Sequence, residues 1–252
     1  MRDGSDTKYK RTEFIFNEVA RITEHKEDDV ALIKKILTNR ELKKKMVLEV
    51  GCGFGDNLLY CARNGADYAE GFDISAESIK LAQSKAKDMK NVLFHKCNIE
   101  EYETSKRFDI ILAIGVFEYF DRPLEALEKL CCLTSEGGTL IALISKPIFI
   151  KKISFLCRPF LSRVPQKMVL SVADAVDGIC GKFSLFFNKR LSTATSSTYT
   201  MKRVILEGLM VNRYNVIEKA VFCDHLKKRS FDVAVFDDVS PSMTCVVGTR
   251  KD

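Results

Sequence analysis

The chain has 252 residues, 46% of them hydrophobic, so it has enough apolar material for one well-filled globular domain. Its net charge of +6 is modest for this length and by itself favours neither nucleic acid nor an anionic membrane as a partner. The nine cysteines form no CxxC pair, which excludes the common zinc and thioredoxin-like motifs and favours reduced thiols in the cytoplasm. The polar N-terminus lacks a signal-peptide core, and no segment resembles a membrane span, so we expect a soluble protein.

The first part of the chain is predicted to be helical. RTEFIFNEVARI and DDVALIKKIL have helical periodicity, which predicts an N-terminal helical arm over residues 1–44. Strand and helix patterns then alternate through residues 45–145. The predicted strands are MVLEV, YAEGFDI, NVLFHKCNI, FDIILAI and TLIALIS, the last one entered through a turn at EGG. The predicted helices are DNLLYCARNG, AESIKLAQSKAKD after Ser75, and PLEALEKLCCL.

This alternation predicts the fold class. Parallel strands need a crossover helix to return the chain in the same direction, so we expect an α/β protein with a doubly wound, mostly parallel sheet. A helix, MKRVILEGLM, and two strand candidates, YNVIEKAVF and SMTCVVGTR, close the chain over residues 198–252. We interpret residues 1–252 as a single domain with a core at 45–145.

The alternation stops at residue 146, where an apolar and basic segment begins. Residues 146–190 contain nine Lys or Arg against two Asp, a local charge of +7, so the rest of the chain is close to neutral. We predict a helical cap over residues 146–197, inserted after the fifth strand. The stretch 148–187 contains six phenylalanines that can roof a lipophilic or aromatic substrate, and its charges can attract an anionic group or a membrane surface. An ordinary solvated cap is an equally weighted alternative.

The motif VLEVGCGFGDN connects the first strand to the first helix. In such sheets ligands bind beyond the carboxyl ends of the strands, and Gly51, Gly53 and Gly55 leave the backbone bare at that place. Asp73 ends the second strand, 22 positions after Gly51, where a carboxylate accepts the hydroxyl groups of a ribose. These features predict a ligand that contains a nucleoside.

The glycine spacing separates two kinds of nucleoside ligand. Dinucleotide sites favour G-x-G-x-x-G, whereas this loop is G-x-G-x-G and has acids on both sides, Glu49 before it and Asp56 after it. Acids make a poor cradle for a pyrophosphate and suit a positively charged ligand. S-adenosylmethionine has a ribose, a sulfonium and an ammonium group, and it has no phosphate.

Three stretches, VLEVGCGFGDN, GFDIS and FDIILAIGVFEYFDRP, resemble the successive cofactor motifs of class I S-adenosylmethionine-dependent methyltransferases. The resemblance is close over residues 45–145 and looser over residues 198–250. It implies a Rossmann-like sheet of seven strands with the last one antiparallel, S-adenosylmethionine as cofactor with S-adenosylhomocysteine as product, and no metal.

The resemblance also implies a set of cofactor-binding residues: Glu49, Gly51, Cys52, Gly53, Gly55, Asp73, Ile74, Asn98, Ile99, Ile114 and Gly115. Glu49 would order the amino-acid end of the ligand, Asp73 would hold the ribose, and Ile74 would pack on the adenine. Asn98 stands where the family commonly has an Asp near the adenine amine, and the backbone at Gly115 would receive the ammonium group. The simpler interpretations are a helix cap at Asp73, a turn residue at Asn98 and a core side chain at Cys52.

The acceptor side is less defined. Many relatives carry Glu-His after the fourth strand, whereas this chain has Glu118-Tyr119, so Tyr119 is a candidate for the acceptor pocket, with core packing as the alternative. No Asn-Pro-Pro-Tyr sequence of exocyclic base-amine methyltransferases is present, which favours transfer to an O or N atom of a small biosynthetic metabolite. A nucleic-acid methyltransferase that uses the basic segment, and a cofactor-binding scaffold without turnover, remain the alternatives.

Overall fold

The structure is a computed structural model, and it describes residues 3–22, 30–37, 41–146, 165, 168, 170–175, 215, 217–240 and 243–252. The chain divides into two compact units. One consists of residues 1–29 and 147–214, and the other of residues 30–146 and 215–252. All strands among the described residues belong to the second unit. The single domain expected from the sequence stays a prediction.

The first unit contains helix α1 (Asp3–Ile22). Ile15 and Val19 are buried and stand one turn apart, which confirms the helical periodicity of this segment. Residues 170–175 of the predicted cap are also helical. The phenylalanines of the cap, the polar hinge after it and the predicted helix MKRVILEGLM lie outside the described residues. Among the helices that the structure describes, none is both long and apolar enough to cross a membrane.

The second unit is built on a seven-stranded sheet. Its strands are β1 (Met46–Val50), β2 (Tyr68–Asp73), β3 (Val92–Lys96), β4 (Phe108–Ile114), β5 (Thr134–Ser145), β6 (Phe231–Ser240) and β7 (Met243–Arg250). The order across the sheet is β3-β2-β1-β4-β5-β7-β6. β1 to β5 pair in parallel, and β7 is antiparallel to both β5 and β6. The predicted doubly wound, mostly parallel sheet of seven strands is therefore confirmed.

Helices cover both faces of this sheet. They are α2 (Ala31–Leu37), α3 (Asp56–Arg63), α4 (Ala76–Lys85), α5 (Pro123–Leu133) and α6 (Lys219–Lys228). The Ser75 hydroxyl caps α4 by accepting the backbone N–H of Ser78 at 3.1 Å, as the sequence predicts. One apolar cluster joins the sheet to α5 and α6, and a second joins it to α2, α3 and α4. The two clusters make a three-layer unit in which the central strands are buried on both faces.

Near the C-terminus, the strand predicted at SMTCVVGTR is confirmed as β7, one predicted strand was wrong, and one strand was missed. YNVIEKAVF was expected to be a strand, but residues 219–228 form α6, because Phe222 and Leu226 stand one turn apart and bury one helical face. The missing strand is β6, an edge strand whose exposed acids such as Asp237 hide the usual strand pattern. A third difference is smaller: β5 begins at Thr134, before EGG, and shifts its pairing with β4 there, where a turn was expected.

The strand order positions the candidate site. It reverses between β1 and β4, which pair from Val47 with Ile110 to Val50 with Ala113. The connection after β1 leads to one side of the sheet order and the connection after β4 to the other, so a crevice opens at the carboxyl ends of these two strands. The glycine loop and Gly115 border this crevice.

Candidate functional site

The glycine loop is tied to the end of β2. The backbone N–H groups of Gly51 and Cys52 both donate to the carbonyl of Phe72, at 2.8 and 3.1 Å, and the N–H of Gly55 donates to the carbonyl of Cys52 at 2.9 Å. Gly51, Gly53 and Gly55 have φ angles of 65°, 50° and 78°, in the left-handed region that favours glycine. The loop therefore folds tightly and delivers the chain directly into α3.

The three glycines differ in what surrounds them. A Cβ on Gly51 would lie 2.3 Å from Cγ1 of Val116, and one on Gly55 would lie 2.4 Å from the ring of Phe94, so packing within the protein excludes a side chain at both. A Cβ on Gly53 would meet no atom within 4 Å. Gly53 thus presents bare backbone to open space, as a surface that a ligand approaches closely would do.

Asp73 holds the loop from the neighbouring strand. Its Oδ2 accepts the backbone N–H of Gly53 at 3.0 Å, and its Oδ1 accepts that of Ser75 at 2.8 Å. Burial raises the pKa of the Asp73 carboxyl, and the backbone N–H groups of Ser75, Gly53 and Ile74 lower it in part. The carboxyl group is fixed beside the open edge of the loop, where each oxygen keeps a lone pair for a hydroxyl group.

Glu49 is buried between the end of β1 and the first turn of α3, with 2% of its surface exposed. Its Oε1 accepts the side-chain amide of Asn57 at 2.6 Å, and its Oε2 has no hydrogen-bond partner among the described residues. Burial, followed by the nearby acids Asp56 and Asp73, raises the pKa of Glu49 to about 8, against the lowering effect of Asn57. A buried carboxyl oxygen without a partner in the described part of the chain is a candidate acceptor for a ligand.

The residues after β3 form a turn. The backbone N–H groups of Glu101 and Tyr102 donate to the carbonyl of Asn98 at 3.0 and 2.9 Å, and the N–H of Glu100 lies 3.4 Å from Oδ1 of Asn98. The side chain of Ile99 is buried in the core cluster. Asn98 therefore has the turn role considered from the sequence, and its position at the carboxyl end of β3 keeps it a candidate for the adenine.

The end of β4 borders the other side of the crevice. Ile114 is half-buried, and Gly115 has φ 65° and donates its N–H to the carbonyl of Leu143 at 3.2 Å. A Cβ on Gly115 would lie 3.0 Å from Cε of Met243. Tyr119 follows in a 3₁₀ turn, half-buried, with its N–H bonded to the carbonyl of Val116 at 3.0 Å.

Sequence reasoning missed a buried polar pair at this end of the sheet. Glu118 is 4% exposed, and its Oε1 accepts the hydroxyl of Ser145, the last residue of β5, at 2.6 Å. Asn215 bonds to the carbonyls of Glu118 and Phe120 and so holds the turn from the chain that leads to α6. Glu118 was noted from the sequence only as the residue before Tyr119, and nothing in the sequence connects it to Ser145 or Asn215. Asn57, the partner of Glu49, lies within the quoted glycine motif but was also missed.

The environment of Cys52 does not favour a reactive thiol. Its side chain is 6% exposed, and burial raises the pKa of its thiol well above the ordinary range, so the protein holds it as a neutral thiol. Two histidines in the described residues have acidic partners: His95 lies 3.2 Å from Glu70, and His225, in α6, lies 3.0 Å from Glu128. In the described part of the chain, no group of three or more acidic, Cys or His side chains could hold a metal ion.

The charges around the loop are mainly negative. Glu49, Asp56 and Asp73 lie before, after and beside it, and the basic Lys85 is bonded to Asp56 at 2.7 Å and to the carbonyl of Phe54 at 3.4 Å. The site therefore offers hydroxyl acceptors, bare backbone and a buried acid. This arrangement suits a ligand with hydroxyl groups and a positive charge and does not suit a phosphate.

Comparison with known proteins agrees with this chemistry. Residues 41–168, half of the chain, match the family model described as the methyltransferase domain. A ubiquinone biosynthesis O-methyltransferase of Coxiella burnetii is 32% identical over 110 residues, covering 43% of this chain and 47% of the relative. A protein of Methanocaldococcus jannaschii, provisionally named a protein N5-glutamine methyltransferase, is 37% identical over 92 residues, covering 36% of this chain and 45% of its own. The chain thus spans less than half the length of these curated relatives.

A solved structure extends the likeness to the whole fold. The magnesium protoporphyrin IX methyltransferase of Synechocystis PCC 6803, crystallised with S-adenosylhomocysteine, aligns with 99% of this chain and 96% of its own at a TM-score of 0.54. Its sequence identity of 13% makes this a likeness of fold alone.

Proposed function

The chain belongs to the methyltransferase-domain family, and we propose that it is an S-adenosylmethionine-dependent methyltransferase that acts on a small molecule. The observation that carries the proposal is the contact between the glycine loop and the neighbouring strand, in which Asp73 accepts the N–H of Gly53 at 3.0 Å beside open space. It brings a ribose acceptor and a bare backbone together at the carboxyl ends of β1 and β2.

The residues present fit this cofactor. Asp73 would accept the ribose hydroxyls, Gly53 would let the ligand approach the backbone, and the unpartnered Oε2 of Glu49 would accept its ammonium group. Ile74 and Asn98 would contact the adenine, together with the backbone of Ile99, while Ile114 and Gly115 would border the amino-acid end. Cys52 would contribute its backbone to the loop.

The chemistry asks little of the protein. S-adenosylmethionine supplies a methyl group on a sulfonium that is already an activated leaving group, so the chain's own residues mainly orient the two reactants. The crevice between β1 and β4 would align the acceptor, and its far wall would include Tyr119 and the turn at Glu118. A base is needed only for an acceptor that arrives protonated.

We propose an O or N atom of a small biosynthetic metabolite as the acceptor. In support, the chain reads Ile114-Gly115-Val116-Phe117 after β4, without the Asn-Pro-Pro-Tyr sequence of enzymes that methylate base amines. A relative named for ubiquinone biosynthesis and a structural neighbour named for magnesium protoporphyrin IX both have small-molecule acceptors by name. A lipophilic or anionic acceptor under the segment 148–187, a membrane contact of that segment and a cytoplasmic location stay predictions.

Calorimetric titration tests the cofactor. We expect micromolar binding of S-adenosylmethionine and S-adenosylhomocysteine, no binding of NADH, and loss of binding in Asp73→Ala, with circular dichroism to check that the variant is folded. Binding of NADH alone would overturn the proposal in favour of a dinucleotide site.

Transfer of a labelled methyl group tests the acceptor class. The protein is incubated with methyl-labelled S-adenosylmethionine and a cell extract, which is then separated into small molecules, nucleic acid and protein. We expect label in the small-molecule fraction, with Asp73→Ala as the matched control. Label confined to nucleic acid or to protein would overturn the proposed acceptor class and leave the methyltransferase activity standing.

A further inference from the structure

The surroundings of the Glu49 carboxyl group bear on its protonation state, and the inference drawn from them rests on the proposed cofactor. The carboxyl group is 2% exposed and receives a single described hydrogen bond, from Asn57 to Oε1, while Oε2 has no described partner. An ionised carboxylate normally accepts several hydrogen bonds when it is removed from water. With one amide donor to Oε1 and none to Oε2 from the described residues, the neutral acid is more stable here than the carboxylate.

The titratable groups that face Glu49 reinforce this preference. They come from α3, the glycine loop and the end of β2: Asp56, Cys61, Cys52 and Asp73. Gly71 and Leu112, its partners in the neighbouring strands β2 and β4, carry no charge. The nearby cation Lys85 is engaged by Asp56. Among the described residues, the groups that act on Glu49 by charge are the acids Asp56 and Asp73, which oppose its ionisation, while the two thiols are neutral.

We propose that Glu49 is protonated in the ligand-free protein and gives up its proton when the ammonium group of the cofactor binds, with Asn57 as the positioning residue of this carboxyl group. The neutral acid and the ammonium cation become a carboxylate paired with that cation, and one proton leaves to the solvent. The cation supplies the partner that Oε2 lacks, so ligand binding and ionisation stabilise each other.

The coupling has a defined sign. Burial and the neighbouring acids raise the pKa of Glu49 to about 8, so at pH 6 to 7 the free protein holds the proton that binding removes. Affinity for ligands with an ammonium group then rises by about tenfold per pH unit in this range. The α-amino group of the free ligand has a pKa of about 7.7–8.0 and loses its own proton near that pH. The affinity is therefore measured below about pH 7, where this group is an ammonium.

Calorimetry in buffers of different ionisation enthalpy counts the protons directly. S-adenosylmethionine and S-adenosylhomocysteine are each expected to release about one proton at pH 6.5. 5′-Methylthioadenosine, which keeps the adenosine and lacks the amino acid, is expected to release none. S-adenosylhomocysteine has the ammonium group and no sulfonium, so it shows which of the two charges causes the proton release. Methylthioadenosine has the ribose and no ammonium group, so it shows whether the proton comes from Asp73 instead of Glu49.

Three variants locate the proton. Glu49→Gln imitates the neutral acid, so it is expected to fold and to bind methylthioadenosine as the wild type does, to release no proton and to lose the pH dependence. Asn57→Ala removes the donor that lowers the pKa of Glu49, so proton release should persist to higher pH than in the wild type. Asp56→Asn removes an acid that raises this pKa, so release should end at lower pH.

The outcomes separate this inference from the proposed function. Tight binding of S-adenosylmethionine without proton release, or equal release from Glu49→Gln, would overturn the inference and leave the cofactor assignment intact. If Asn57→Ala and Asp56→Asn move the pH at which proton release ends in the same direction, Asn57 does not position the titrating group. If neither S-adenosylmethionine nor S-adenosylhomocysteine binds, the proposed function itself fails, and the inference fails with it.

Discussion

Glu49 on β1 and Glu70 on β2 are two buried acids on neighbouring strands, and the protein treats them differently. Glu70 accepts hydrogen bonds from the hydroxyls of Tyr68 and Tyr102 at 2.6 and 2.9 Å and from Lys106 at 3.2 Å. Burial alone would raise the pKa of Glu70, but these three donors lower it below its ordinary value. Glu49 has one described donor, and its pKa is raised.

The difference distinguishes a structural acid, Glu70, from the acid that we propose binds the ligand, Glu49. The protein itself completes the coordination of Glu70, so this residue stabilises the fold and offers little to a ligand. Glu49 lies at the carboxyl end of β1, where the strand order reverses, and no described residue bonds to its Oε2. A buried carboxyl group with an open oxygen raises the energy of the free protein, and a cationic ligand would recover that energy.

The largest expected effect that separates the two acids is on the pH dependence of stability. The folded protein keeps a proton on Glu49 that the unfolded chain gives up above about pH 4.5, so stability from this group falls by about 1.4 kcal/mol per pH unit between about pH 4.5 and 8. Glu49→Gln removes this loss. Chemical denaturation of both proteins from pH 5 to 8, without ligand, should show that the unfolding free energy of the variant increases relative to that of the wild type as the pH rises.

Glu70 should have the opposite dependence. Because its pKa is lowered in the folded protein, the Glu70 carboxylate contributes to the free energy of unfolding above its ordinary pKa, and this contribution is lost as the pH falls through the pKa of the folded state. The stabilities of wild type and Glu70→Gln should therefore approach each other only at acidic pH. The same denaturation series, extended below pH 4.5, measures this. Parallel pH profiles for the two variants would contradict the distinction between the two acids.

Removal of the Glu70 carboxylate should affect stability and not binding. Glu70→Ala leaves the hydroxyls of Tyr68 and Tyr102 and the ammonium of Lys106 without this acceptor, which should cost about 3 kcal/mol of unfolding free energy. Affinity for S-adenosylmethionine should stay within about twofold of the wild type. The exposed Glu103 provides a matched control, since Glu103→Ala should change stability by less than about 0.5 kcal/mol. A large loss of affinity in Glu70→Ala would give Glu70 a role in the site.

The smallest expected effect comes from one hydroxyl group. Tyr102→Phe keeps the ring, which stacks on Phe72 at a centroid distance of 4.4 Å, and removes the hydroxyl that donates to Glu70 and also bonds to Thr104. We expect a loss of about 1 kcal/mol of unfolding free energy, because one hydrogen bond to a buried acid disappears and two other donors remain. Thermal denaturation at neutral pH measures it, and an unchanged melting temperature would mean that the other donors satisfy Glu70 by themselves.

Much of the fold followed from local sequence patterns. The five parallel strands, the helix cap at Ser75 and the doubly wound class were predicted because burial on both faces produces apolar runs and crossovers produce helices between them. The family match and the seven-stranded sheet confirm the resemblance that the glycine motif suggested. The errors fell at α6, where Val221 and Phe222 occur in a helix, and at β6, where acids occur in an edge strand, so that tertiary packing outweighed local preference.

The sequence by itself determined the spacing of Gly51, Gly53 and Gly55 and their distance from Asp73, because a tight turn after a strand and the length of one crossover are local properties. Tertiary structure alone decided which glycine faces open space, which oxygen of Glu49 has no partner among the residues with described positions, and that Glu118 meets Ser145 across 27 positions of the chain. Hydrogen bonding and burial depend on groups brought together from distant strands, and a pattern along one segment does not contain them.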